Sequence, residues 1–195
     1  MMRNKWITTI LCIILAFSLV GCRAPSPDSV VNNFLSDLQQ GNLETAAQYL
    51  NNTTDDEFAD NIADSEADDE EMQKALFSKI QHEIISSNIE GNTAKVETKI
   101  TSLDLVKITT TVMSEIMPLA LATVFDEDSD NDKLDELTEQ YFNNAILDPE
   151  APTITNTVTI TLNKTDNSWL IEPNDELMNG VMGNIGILED MFSDE

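Results

Sequence analysis

Thr153-Ile154-Thr155-Asn156-Thr157-Val158-Thr159-Ile160-Thr161-Leu162 alternates without a break. Val158, Ile160 and Leu162 fall on one side, and Thr157, Thr159 and Thr161 on the other. Period-two alternation of apolar and polar residues is the mark of a half-buried antiparallel strand, apolar inward and hydroxyl outward. Lys164-Thr165-Asp166-Asn167 then turns the chain into Ser168-Trp169-Leu170-Ile171, a second short strand. The chain therefore ends in a hairpin followed by a glycine-punctuated tail that holds Leu177, Met178, Val181 and Met182.

Upstream of the break at Asp148-Pro149-Glu150-Ala151-Pro152 the pattern is helical. Leu134, Leu137, Tyr141, Phe142 and Ile146 predict an amphipathic helix over 132–147. Leu105 to Phe125 predicts a longer, strongly apolar one. Glu115 and Pro118 interrupt that run, so it reads as a buried, kinked core helix and not as a membrane span. Before it, Glu83 to Ile89 and Ala94 to Leu103 flank Glu90-Gly91-Asn92-Thr93, the signature of another hairpin.

Three helical stretches precede that hairpin. Ser26-Pro27-Asp28 supplies a hydroxyl N-cap, a first-turn proline and an acid at the positive dipole end. Val30, Val31, Phe34, Leu35 and Leu38 form the apolar face, and Gly41 closes the helix. Leu43, Ala46, Ala47 and Leu50 make a second short helix. Met72, Leu76, Phe77, Ile80 and Ile84 resume helical spacing after an acidic stretch. Residues 28–195 make one α+β domain's length.

This order resembles that of bacterial lipoproteins of unknown function whose mature part is a nuclear transport factor-like domain. The resemblance rests on Val30-Val31-Asn32-Asn33-Phe34-Leu35 with Gly41-Asn42-Leu43-Glu44-Thr45-Ala46-Ala47-Gln48-Tyr49-Leu50, and on Val158 to Leu162 followed by Trp169-Leu170-Ile171. It implies helices packed on a curved antiparallel sheet, a cone that encloses a pocket, and here a helical insert at 105–147 between two hairpins.

The first residues read as an address. Arg3 and Lys5 precede the apolar run Trp6 to Val20, which ends in Leu19-Val20-Gly21-Cys22. A charged start and a short apolar region form a secretory signal. Its end resembles the bacterial lipobox, which implies cleavage after residue 21 and diacylation, palmitate included, of Cys22. Residues 22–27 are then the lipidated cysteine and a tether. Two acyl chains give stable anchoring, which predicts a cell-membrane, extracytoplasmic location. The five residues from Arg23 to Pro27 span only about 16 Å when extended, so the domain is expected close to the bilayer. Loss of Cys12 with the peptide leaves no thiol for catalysis, redox switching or metal ligation.

Charge narrows the partners. The chain's 195 residues carry 36 acids against 10 bases, a formal net charge of −26. Losing Arg3 and Lys5 with residues 1–21 takes that to −28. Such a protein lacks the cations that hold a phosphate backbone, so nucleic acid is excluded as a partner. A single histidine cannot build a multi-histidine metal site. Half of the acids lie in two segments, 55–71 and 126–139.

Within the second segment, Asp128, Asp130, Asp132 and Glu139 stand at the first, third, fifth and twelfth places of an EF-hand-like calcium loop. The loop's usual glycine is replaced by Lys133, a cation that repels calcium and resists the tight turn. That favours weak, adventitious binding over a built site, and no other cofactor is indicated. His82 falls at a helix-to-strand boundary without an orienting partner on its own face. The serines lack a triad context, and Gly180, Gly183 and Gly186 do not sit between a strand and a helix. No catalytic residue is assigned. Trp169, Tyr141, Phe142, Met113, Met117, Met178 and Met182 are candidates to line an apolar pocket, or else to fill a core.

The expectation is a non-enzymatic, membrane-anchored lipoprotein that binds a small apolar ligand or an envelope protein. Two alternatives stand beside it. One is a calcium-responsive acidic surface module; the other is an enzyme that uses a pocket carboxylate. The residues leave the oligomeric state and the ligand's identity open.

Overall fold

Local chemistry sets each element's ends in the computed structural model, which describes residues 24–51, 70–124, 131–166 and 168–187. Helix α1 spans Pro27–Gln40; the Ser26 side chain accepts from the Ser29 N–H, and Gly41 stops the helix at φ 74°. That left-handed conformation is open to glycine at little cost. Helix α2 covers Leu43–Ala47 and α3 covers Glu70–Ser78. Strands β1 (Gln81–Glu90) and β2 (Thr93–Leu103) form the first hairpin around Gly91. Helices α4 (Leu105–Val124) and α5 (Asn131–Leu147) follow, then β3 (Thr153–Thr165), β4 (Ser168–Ile171) and α6 (Asp175–Val181).

The four strands make one antiparallel sheet in the order β1-β2-β3-β4. Its centre is an eleven-pair ladder from Thr93↔Asn163 to Leu103↔Thr153. One face carries Ala94, Val96, Ile100, Val158, Ile160, Leu162 and Ile171, all buried against Phe34, Leu35 and Leu38 of α1 and Leu177 and Val181 of α6. The opposite face shows Lys95, Lys99 and the threonines of β3, with Thr101 and Thr155 hydroxyls 2.7 Å apart. The expected α+β class, with an antiparallel sheet and a helical insert between two hairpins, is what the chain forms.

Beyond the short β4, the edge of β3 is closed by side-chain and loop contacts. The Thr159 N–H donates to Glu176 Oε1 at 2.7 Å, and the Glu172 N–H donates to the Thr161 carbonyl at 2.8 Å. Such capping removes free strand groups that would otherwise template aggregation. Lys164 lies over the Trp169 ring, 5.7 Å from its centre, and shields that buried indole from water.

A second apolar cluster, separate from the sheet's own, joins Leu103, Leu105, Ile108, Val112, Ile116, Ile146 and Ala151. It sits at the base of the α4–α5 pair. The Asp104 N–H donates to the Pro152 carbonyl at 2.9 Å, so the two ends of the insert meet where they leave the sheet.

Two sequence expectations are corrected here. The spacing Ile80–Ile84 predicts helix, but α3 stops at Ser78 and both isoleucines follow it, Ile84 in β1. A four-residue interval suits a strand as well as a helix, and pairing with β2 decides. Helix α4 is also not a buried core helix along its whole length. Leu105, Ile108, Val112 and Ile116 are buried, whereas Met113 (43%), Met117 (51%), Leu119 (40%) and Leu121 (56%) are exposed.

Candidate functional site

The exposed side of α4 is where the molecule departs from ordinary packing. Apolar residues at 105, 108, 112 and 116 recur every three or four positions, and this stripe seats the helix on α5. Leucine and methionine also occupy the neighbouring faces, for which the described residues supply no cover. The span Leu105–Ala122 is apolar and long enough to cross a membrane by length and composition, yet only 22% of it is buried.

Two grooves flank the line where α4 meets α5. One, of about 370 Å³, is lined by Thr109, Val112 and Met113 from α4 and by Asp135, Thr138, Glu139 and Phe142 from α5. The α5 residues fall at i, i+3, i+4 and i+7, so one helical face presents them together. Asp135 and Glu139 thus stand in the same groove as the apolar Val112, Met113 and Phe142. The other groove, of about 410 Å³, includes Ile108, Thr111, Glu115, Tyr141 and Ala145 and mixes polar with apolar walls. A further depression of about 420 Å³ between Gly41–Thr45 and Gln73–Lys74 is polar.

The candidate pocket residues divide accordingly. Met113 and Phe142 meet in the first groove, Tyr141 lies in the second, and Met117 stands exposed on α4. Trp169 is buried in the sheet's core, and Met178 and Met182 pack against that core. Thr109, Val112, Asp135 and Thr138 were not expected to share a site. Their signal was the i, i+3, i+4, i+7 spacing of Asp135 to Phe142, legible once α5 is accepted as a helix.

Among the described residues, the fully buried polar residues are Thr98 and Ser102; the half-buried Asp28 of α1 also buries its Oδ1, with no hydrogen-bond partner. Ser102 Oγ donates to the Gly180 carbonyl at 3.0 Å. Asp132 lies in the first turn of α5 and Glu139 two turns on, in the first groove. Asp128 and Asp130 lie outside the described residues, as do Cys22 and the signal segment. No three metal-ligating side chains converge among the described residues.

His82, on β1, has Nε2 at 3.1 Å from Asn32 Oδ1. Burial pushes its pKa below 6.5, because desolvation disfavours the imidazolium. It shares a shallow polar depression with Gln81, Glu83, Lys99 and Thr101. Gly180 and Gly183 serve packing. A Cβ on Gly180 would press on Val158, and one on Gly183, at φ 59°, would strike the Leu103 carbonyl.

No curated protein matches the chain. Four chains of solved structures match it, among them these two. A candidate NTF2-like transpeptidase from Campylobacter jejuni is 15% identical, over 77% of this chain and 100% of that one, with a TM-score of 0.38. A candidate lipoprotein, YcdA, from Bacillus subtilis is 16% identical, over 82% of this chain and 47% of that one, with a TM-score of 0.41. Likenesses this distant transfer neither activity nor partner. The model of one family, Domain of unknown function (DUF5105), matches residues 26–184, which include every strand and helix described above, and the chain belongs to that family.

Proposed function

We propose that this is a membrane-anchored, extracytoplasmic lipoprotein without enzymatic activity, whose α4–α5 arm docks another envelope protein. The anchor reading rests on Leu19-Val20-Gly21-Cys22 after an apolar run. One observation carries the docking reading: an apolar helix of 20 residues packed along a single stripe, with Met113, Met117 and Leu121, spaced four apart on one helical face, exposed to solvent. Contiguous exposed apolar surface costs solubility and marks interaction sites. A small apolar ligand is less well served, because the α4–α5 grooves are open and shallow and the sheet's covered face is filled by its own side chains.

The test is site-specific photo-crosslinking in living cells. A crosslinker at Met117 should trap one envelope protein that a crosslinker at Ile85, exposed on the far hairpin, does not. Met113→Asp should abolish the adduct while protein level is kept. Identical adducts from both positions, or none from Met117, would refute the docking reading. Loss of acyl labelling in Cys22→Ala tests the anchor separately.

A further inference from the structure

The first α4–α5 groove brings apolar residues and two carboxylate residues together, and that pairing selects among occupants. Sequence positions 105–150 hold eleven acids against Lys107 and Lys133. Asp135 and Glu139 stand on the groove itself, beside Val112, Met113 and Phe142. An anionic bilayer surface would be repelled as the apolar strip approached it. A second copy would set the same negative field against itself. A neutral apolar molecule would use Val112, Met113 and Phe142 and make nothing of Asp135 and Glu139.

We infer that the groove takes a cationic amphipathic segment of a partner protein. This rests on the docking reading above and adds the partner's chemistry to it. Apolar side chains of the segment enter between Val112, Met113 and Phe142, where methionine's flexible thioether adapts to varied shapes. Its lysines or arginines face Asp135 and Glu139, and the arm's wider negative field steers the approach. The carboxylates reject acidic segments of equal apolarity.

The experiment uses the full chain in phosphatidylcholine nanodiscs at about 0.15 M salt, with empty nanodiscs as the blank. Three probes of roughly fifteen residues are compared: a Leu/Lys amphipathic peptide, its scrambled isomer, and the Leu/Glu counterpart. The amphipathic cationic peptide should bind at least about tenfold tighter than either other. Met113→Asp with Met117→Asp should weaken it at least about tenfold, although two added acids would tighten a purely electrostatic contact. Ile85→Asp with Ile89→Asp adds the same charge on β1, where both isoleucines are exposed, and should leave the affinity intact.

Equal binding of the scrambled and amphipathic isomers would overturn the inference, as would insensitivity to the methionine changes. Equal binding of the Leu/Glu peptide would leave the docking reading standing and remove its cationic partner. Binding of none would remove both. Preference for anionic phosphatidylglycerol vesicles over every peptide would replace the segment with a membrane.

Discussion

Ser102 and Gly180 lie 78 positions apart, yet the serine hydroxyl donates to the glycine carbonyl at 3.0 Å inside the core. Gly180 belongs to the last turn of α6, whose carbonyls lack partners within the helix. The Met178 and Asn179 carbonyls accept from the Met182 and Asn184 N–H groups, and Ser102 satisfies the third. Ser102→Ala should therefore cost about 1–3 kcal/mol, the usual penalty of an orphaned buried acceptor. Urea unfolding with an unchanged m-value would check it; an unaltered midpoint would deny the bond its role.

Gly183 should tolerate no side chain. It sits at φ 59°, and an added methyl would meet the Leu103 carbonyl, a backbone atom that cannot swing away. Gly183→Ala should cost on the order of 3 kcal/mol or more, read as a large fall in Tm. Gly91, also at positive φ but with nothing within 4 Å, should lose only the smaller conformational cost on the same change.

His82 should give stability a pH slope of its own. Burial lowers its folded pKa below 6.5, so the unfolded chain takes up the proton first. Its contribution is whole above pH 6.5 and falls as the pH drops from there toward the folded value. His82→Gln should remove that slope. Superimposable pH profiles of the two proteins would sink the prediction.

Calcium should not stabilise the chain more than magnesium does. Helix α5 starts at Asn131, so the fifth to twelfth places of the acidic spacing rise along a helix by about 1.5 Å each instead of gathering round one point. Thermal unfolding at about 1 mM of either cation should give equal Tm values, and a calcium-specific rise would restore a built site.

The elements legible in the sequence are those whose signals are local. Ser26, Pro27 and Gly41 mark both ends of α1, and the threonine alternation at 153–161 marks β3, because caps and pleats act on neighbours. The start of β1 was not legible, since Ile80 and Ile84, four apart, fit two periods at once. The exposure of α4 was hidden for a different reason. Composition tells how much a helix would gain by being covered; only the tertiary arrangement tells whether it is. The grooved face of α5 lay between these cases, written in the spacing of Asp135, Thr138, Glu139 and Phe142 but meaningless until α4 stands beside it.

Asp104 and Pro152 meet where the insert leaves the sheet, and the insert's apolar cluster touches the rest of the fold through Leu103 of β2, through Met72, Ala75 and Leu76 of α3, and through Met182 and Ile185. A segment whose two ends touch can change at its outer end without altering the strand register beneath it. The β2–β3 ladder would be the same hairpin with a short turn in place of α4 and α5. Selection can thus act on the arm's outer faces apart from the sheet: the sheet and the arm's base under pressure to stay folded, the outer faces under pressure from whatever they meet.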